Sequence, residues 1–157
     1  MKKYKFSGTS FIVNDYIGKS NVWDLENKKI KQHSLMNSDE ILQWINEGMH
    51  IGSHGLSHSN LIKEIDSVAI SEIANSKLLL EKNFNIEIDT FCYPFGAYND
   101  AIIELVKGAG YKFAVTTKRG RLKNLNEHAY EIPRVPIGNN IGYFKFLLKT
   151  ITNYEDL

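Results

Sequence analysis

Residues 49–58 read Met-His-Ile-Gly-Ser-His-Gly-Leu-Ser-His, a short segment of strand character that runs directly into two histidines four positions apart. Upstream of it, Asn37 and Glu40 form the start signal of a helix whose apolar pattern ends at Gly48. Downstream, a longer helical pattern covers residues 66–84. A strand between two helices is the repeating unit of proteins built on parallel sheets.

The same alternation continues along the chain. Further helical patterns begin at Asn99 and cover residues 143–151, and strand patterns occupy residues 9–13, 49–53, 89–93, 111–117 and 131–135. We therefore expect an α/β fold in which helices cover a mostly parallel sheet, either open or closed into a barrel. In such folds the functional sites gather at the carboxyl ends of the strands. Residues 14–37 show little periodicity, which predicts a long loop.

The composition is that of one domain of ordinary size. The chain has 157 residues, 43% of them hydrophobic, and a formal net charge of +1, so residues 1–157 are taken as a single domain. The near-neutral charge argues against nucleic acid as a partner. Because Cys92 is the only cysteine, an internal disulfide and a cysteine-rich zinc module are excluded, and a metal would have to bind histidine and carboxylate.

The sequence shows no segment that targets a membrane. No apolar run approaches the ~20 residues that cross a bilayer, so no transmembrane segment is expected. The first residues are basic, but neither an apolar stretch nor a cleavage site follows them. As written, the chain carries no export signal and reads as cytoplasmic, while its localisation stays open.

His54 and His58 follow the second strand and are the strongest candidates for chemistry. On a helical turn, residues four apart share a face, and two imidazoles so placed can chelate one zinc ion. A third ligand is needed, and Asp15 or Asp24 after the first strand could supply it. The zinc-protease motif is excluded, because Gly55 stands where that motif needs glutamate. The alternative is a turn whose polar side chains cap a helix.

The segment Phe91-Cys-Tyr-Pro-Phe-Gly96 follows the third strand. Tyr93 and Phe95 could wall a groove of the size of a sugar. Because Pro94 has no amide hydrogen, the backbone N–H of Tyr93 is favoured as a donor to an oxyanion. The alternative is an ordinary loop between strand and helix whose aromatic residues belong to the core.

These features together resemble the NodB-like polysaccharide deacetylases over almost the whole chain. Residues 9–13 are similar to the second strand of that family, residues 52–58 to its metal motif and residues 93–96 to its groove motif. The resemblance is to the branch that acts on N-acetylglucosamine polymers or envelope glycans. Cys92 supports this placement, because another branch has arginine there. The resemblance implies a distorted (β/α) barrel with parallel strands.

The resemblance also implies an activity and a role for each matching residue. The protein would be a hydrolase that removes N-acetyl groups from an N-acetylated sugar or polysaccharide. His54 and His58 would hold a divalent metal, with zinc the first choice, which would polarise the acetamide and activate water. The N–H of Tyr93 would face the oxyanion.

Substrate contacts are implied at four positions. Pro94 and Phe95 would line the sugar site, Arg134 would lie near it, and Asp24 would shape the loop or contact the substrate.

Of the remaining histidines, His50 is expected in the core, whereas those at 33 and 128 are expected in solvent.

The chain departs from the family pattern at its N-terminus. The Asp-Asp pair that ends the first strand of the family has no counterpart, so we expect a fold that lacks this strand and is incomplete at the N-terminus. A sheet missing one strand exposes unpaired edges, which predicts a homo-oligomer whose partner completes the sheet. The alternative function is an inactive deacetylase fold that binds carbohydrate or serves self-association.

Overall fold

The fold is described from a computed structural model, which covers residues 2–25 and 31–152. The strands are β1 (Thr9–Ile12), β2 (His50–Ser53), β3 (Thr90–Cys92), β4 (Phe113–Arg119) and β5 (Ile132–Arg134). The helices are α1 (Ser38–Asn46), α2 (Asp66–Phe84), α3 (Asp100–Gly108), α4 (Leu125–His128) and α5 (Tyr143–Ile151). Residues 28–31 of the predicted loop contain three lysines, and only Lys31 lies among the described residues.

The five strands form one parallel sheet in the order β1-β2-β3-β4-β5. The register pairs Thr9 with His50 and Thr90 with Phe113, and each strand lies beside its predecessor in the chain. This order is that of a (β/α) barrel, because a doubly wound sheet reverses its strand order at a switch point. The predicted α/β class with a parallel sheet is confirmed, and all five carboxyl ends lie at one edge.

The helices begin at the signals in the sequence. At α1 the Asn37 side chain accepts from the Glu40 N–H at 3.0 Å, and the Glu40 carboxylate accepts from the Asn37 N–H at 2.9 Å, which completes a capping box. Asn99 caps α3 in the same way through the N–H of Ile102 at 2.9 Å. Helix α2 spans the predicted residues 66–84 and ends at Asn85, whose left-handed conformation satisfies the last turn.

The core lies between the sheet and the inner faces of α1, α2 and α3. It is built from side chains of high apolar area, each of which stabilises the fold by about 1.5–3 kcal/mol when fully buried. Among the fully enclosed side chains are Ile41, Ile73, Leu80, Phe91 and Val106. The prediction that His50 belongs to this core is wrong, because His50 begins β2 and its side chain is exposed at the far end of the strand from the candidate site.

The predicted loop after β1 contains two short 3-10 turns, Asn14–Tyr16 and Val22–Asp24. The two sides of the loop are joined by backbone hydrogen bonds, such as that from the Leu35 N–H to the Lys19 carbonyl at 2.8 Å, and by an antiparallel bridge between Ser20 and Ser34. The N–H of Asn14 donates to the Gly55 carbonyl at 3.2 Å, so the loop is anchored beside the two histidines.

None of the helices formed by residues 2–25 and 31–152 combines the length and the apolarity needed to span a membrane.

Candidate functional site

The loops after β1, β2 and β3 meet at the carboxyl edge of the sheet. His54 and His58 lie in the loop after β2, and their ring centroids are 4.8 Å apart with the rings nearly perpendicular. The loop after β1 brings Trp23 to this point, and the loop after β3 brings Phe95. The two histidines that the sequence singled out are therefore brought together.

His54 is oriented by the backbone of the neighbouring strand. Its Nδ1 lies 2.6 Å from the carbonyl oxygen of Cys92. A carbonyl can only accept, so Nδ1 carries the proton and donates. In the neutral ring this tautomer leaves the Nε2 lone pair available to a metal or a proton.

His58 lies in an aromatic pocket. Its ring stacks on Trp23 with centroids 4.4 Å apart and an interplanar angle of 15°. The ring of Phe95 meets it edge to face at 4.5 Å. His58 is 9% exposed, and its Nδ1 has no hydrogen-bond partner among the described residues. A buried ring nitrogen without a partner is unfavourable unless a ligand satisfies it.

Both imidazoles are held in their neutral form. Burial lowers the pKa of His54, opposed by its bond to the Cys92 carbonyl and assisted by the positive charge of Arg134. Burial also lowers the pKa of His58 to about 4, and the neighbouring His54 acts in the same direction, whereas Asp24 raises it. Neutral imidazole is the form that binds a metal, so at neutral pH neither ring has to lose a proton first.

Residues 54–58 form a loop, which corrects the expectation of a helical turn. The chain reverses through two left-handed residues, Gly55 with φ of +81° and His58 with φ of +64°. A left-handed conformation is unusual for a residue other than glycine and clusters at functional sites. The alternative of a helix cap is not what the structure shows, because α2 begins only at Asp66.

The segment after β3 contributes Tyr93 and Pro94 to the buried interior and Phe95 to the candidate site. Tyr93 is 1% exposed, its hydroxyl donates to the Tyr130 carbonyl, and its backbone N–H points at the Val115 carbonyl at 3.4 Å. The structure therefore directs the N–H of Tyr93 into the sheet rather than toward the histidines. Pro94 is buried beneath the loop, whereas Phe95 has φ of +57° and is 56% exposed.

Two other predicted residues, Asp24 and Arg134, act on the histidines through their charge, whereas Asp15 does not. Asp24 accepts a hydrogen bond from the Asn21 side chain at 2.9 Å and is close enough to His58 to influence its pKa. Asp15 is exposed. Arg134 donates from Nε to the Thr116 carbonyl at 2.7 Å, and its charge acts on His54.

The two imidazoles could supply two of the three protein ligands that a catalytic zinc usually takes. The tautomer of His54 leaves its Nε2 available, and Nδ1 of His58 is buried without a partner among the described residues, so each ring has a nitrogen that could bind a divalent ion. Within residues 2–25 and 31–152, however, no group of three or more His, Cys, Asp or Glu side chains is arranged to hold a metal.

A cavity of about 250 Å³ opens beside His54. Trp23 and Tyr16 line it from the loop, with their rings edge to face at 5.1 Å, and Phe11 and Met36 line it from below. Its walls are apolar and aromatic, the kind of surface that binds the faces of small organic ligands.

Sequence reasoning missed two residues of the site. Nothing in the sequence around Trp23 indicates that its ring stacks on His58, although the neighbouring Asp24 is a candidate. The sequence places Glu72 within the helical pattern of residues 66–84 without marking it as special, yet its carboxylate accepts hydrogen bonds from the loop between the histidines. The available signal was its spacing of three residues from Ala69 and four from Ser76, which places all three on one face of α2.

Comparisons with known proteins agree with the fold. The family model described as polysaccharide deacetylase matches residues 1–114. A poly-β-1,6-N-acetyl-D-glucosamine N-deacetylase of Staphylococcus aureus is 30% identical over 159 aligned positions, which cover 99% of this chain and 53% of the relative. The chain thus spans about half the length of this relative.

Two solved structures share the architecture. A Streptococcus pyogenes deacetylase in complex with acetate, PplD, has a TM-score of 0.77 at 22% identity, covering 94% of this chain and 60% of that one. IcaB from Ammonifex degensii has a TM-score of 0.70 at 17% identity, covering 88% of this chain and 60% of that one.

Proposed function

The chain belongs to the polysaccharide deacetylase family, whose members are hydrolases, and on this premise we propose that it removes N-acetyl groups from an N-acetylglucosamine polymer with the help of a divalent metal ion. The name of the S. aureus relative supports this substrate class. Zinc is the proposed metal, because two neutral imidazoles are its common ligands.

The observation that carries the proposal is the geometry of the histidine pair. The Cys92 carbonyl fixes the tautomer of His54 so that Nε2 is available, and the ring of His58, whose Nδ1 has no partner among the described residues, lies with its centroid 4.8 Å from that of His54. Asp24 is the proposed substrate contact, since its charge acts on His58. Neither Asp24 nor Asp15 is arranged with the two histidines as a third metal ligand, which corrects the expectation from the sequence. When bound, a divalent ion supplies polarisation of the acetamide carbonyl and a more acidic water.

The remaining residues bind and orient the substrate. Phe95 presents an exposed ring beside His58, and Trp23 lines the adjoining cavity, so both are proposed to pack on sugar faces. For the oxyanion we propose the N–H of Phe95 in place of that of Tyr93. The Phe95 N–H donates to no acceptor among the described residues, whereas the Tyr93 N–H points at the carbonyl oxygen of Val115. Arg134 is proposed to assist through its charge near His54.

A second candidate is carbohydrate binding without catalysis. It is favoured by the lack of a three-ligand group within the described part of the chain. This function needs the aromatic cavity but neither a metal nor a base. The two candidates differ in whether acetate is released.

The deciding experiment is a zinc titration by calorimetry followed by an assay of acetate release from N-acetylglucosamine oligomers. Wild type is expected to bind one zinc per chain, and His54→Ala and His58→Ala to lose it. His128→Ala, which removes an exposed histidine, is the matched control and should bind as wild type does. Zinc binding that persists in both site variants would remove the histidines from the proposal. Oligomer binding without acetate release would select the second candidate.

Self-association stays a prediction. Strand β1 is paired only with β2 among the described residues, and such an edge can pair with another chain. Sedimentation equilibrium tests it, and a folded monomer at micromolar concentration would contradict it.

A further inference from the structure

Helix α2 carries a carboxylate on its buried face. Glu72 is 6% exposed and lies among Ala69, Ile73 and Ser76, which face the sheet. Burying a charged group is strongly unfavourable unless hydrogen bonds replace its water. Hydrogen bonds must therefore compensate for the loss of water around the carboxylate. Its hydrogen bonds all come from one short loop, residues 54–58.

That loop lies between the two candidate metal ligands. Glu72 Oε2 accepts from the N–H of Leu56 at 2.8 Å and from the N–H of Ser57 at 3.0 Å. Its Oε1 accepts from the Ser57 hydroxyl at 2.5 Å and again from the Ser57 N–H at 3.2 Å. Consecutive backbone N–H groups aimed at one anion form a nest, in which charge-assisted bonds are the strong ones.

The opposite side of the loop is held by the segment after β1. The carbonyls of Gly55 and Leu56 accept from the N–H groups of Asn14 and Asp15, at 3.2 and 2.9 Å. The loop is thus clamped through its carbonyls on one side and through its amides on the other. Of these contacts, only those to Glu72 are charged and made by a side chain.

We propose that Glu72 is a positioning residue: by binding the peptide groups between His54 and His58, it holds the two imidazoles in their observed arrangement, with ring centroids 4.8 Å apart, on which binding of the proposed metal depends. This inference rests on the proposed function. Glu72 acts through the loop rather than on the substrate, because both of its oxygens are occupied by Leu56 and Ser57. The bonds also fix the backbone at Ser57, and this supports the next residue, His58, in its left-handed conformation with φ of +64°.

Glu72→Gln tests the proposal, because it keeps the volume but replaces an acceptor oxygen with an NH₂ group that faces the loop N–H groups. Residues that orient metal ligands typically change metal affinity about 10–100-fold when replaced, and we expect a loss in that range for zinc. Amide hydrogen exchange at Leu56 and Ser57 should become faster. Glu104→Gln, at an exposed carboxylate on α3, is the matched control and should change neither quantity.

The melting temperature without zinc separates positioning from simple stabilisation. A purely structural role lowers the melting temperature but leaves the zinc affinity of the folded protein unchanged, and that result would overturn the proposal. If Glu72→Gln does not fold, Ser57→Ala removes one of the bonds instead. Weaker zinc binding with faster exchange would then support the proposal, and no change in either would overturn it.

The same measurements distinguish failure of this inference from failure of the proposed function. If wild type binds no zinc, the metal-dependent function fails. The role of Glu72 is then judged from hydrogen exchange and from the imidazole NMR signals of His54 and His58. Unchanged exchange and unchanged imidazole signals in Glu72→Gln would overturn it, whereas faster exchange with shifted signals would support it.

Discussion

Replacing Gly55 with alanine directly probes the packing of the loop that contains the two histidines, residues 54–58. A Cβ at this position would lie 2.9 Å from Oε2 of Glu72, closer than real Cβ contacts. The φ of Gly55 is +81°, which L-residues rarely adopt. Two separate effects therefore act on the variant, backbone strain and a collision with the buried carboxylate.

Gly48 offers a matched control in which only the first effect operates. Its φ is also +81°, but a Cβ there would meet no atom within 4 Å. A left-handed conformation costs an L-residue about 1–2 kcal/mol. Alanine also restricts the unfolded chain and returns about 0.4–1 kcal/mol. These contributions are the same at both positions, so they cancel when the two variants are compared.

The difference between the variants measures the contact with Glu72. To admit the methyl group the carboxylate must move and weaken its bond to the Leu56 N–H, and a hydrogen bond to a charged group contributes about 1.5–3 kcal/mol. We therefore expect Gly55→Ala to lower the free energy of unfolding by about 1.5–3 kcal/mol more than Gly48→Ala does.

Urea unfolding followed by circular dichroism gives both free energies. In a Glu72→Ala background the carboxylate is gone, so the costs of the two glycine substitutions should converge, as a double-mutant cycle would show. Equal costs of Gly55→Ala and Gly48→Ala in the wild-type background would refute the reasoning, because the loop would then not be held against Glu72.

Three further predictions concern other parts of the molecule. Asn37→Ala removes the α1 capping box and should lower the free energy of unfolding by about 1 kcal/mol, measured by urea unfolding. The hydrogen bond from Lys118 holds the pKa of Glu131 below its ordinary value, so this carboxylate stabilises the folded state above its unfolded pKa, and the stabilisation is lost as the pH falls through its folded pKa. Glu131→Gln should therefore make the free energy of unfolding fall less steeply below about pH 4.5. An unchanged pH dependence in this range would contradict the prediction. Because Trp23 stacks on His58, zinc should change the tryptophan fluorescence of wild type and leave that of Trp23→Phe unaffected.

The amino-acid sequence determined every strand and every helix except the short α4, because the signals of these elements are local. The capping pair Asn37 and Glu40, the cap Asn99 and the apolar spacing of residues 66–84 each act within a few residues of the element they start or fill. Alternation of the two element types was then enough to predict a parallel sheet with its site at the carboxyl edge. The histidine pair was found in the same way, since His54 follows a strand directly.

The geometry of the site depends on contacts between residues far apart in the chain, and these only the tertiary structure decided. Trp23 reaches His58 across 35 positions, and Glu72 reaches Ser57 across 15. The turn between the histidines became a loop because its amides bind Glu72 instead of continuing a helix. The N–H of Tyr93 faces the sheet for a similar reason, since β4 lies alongside it. A local pattern records which groups are available, whereas the packing of α2 and the strands decides which of them pair.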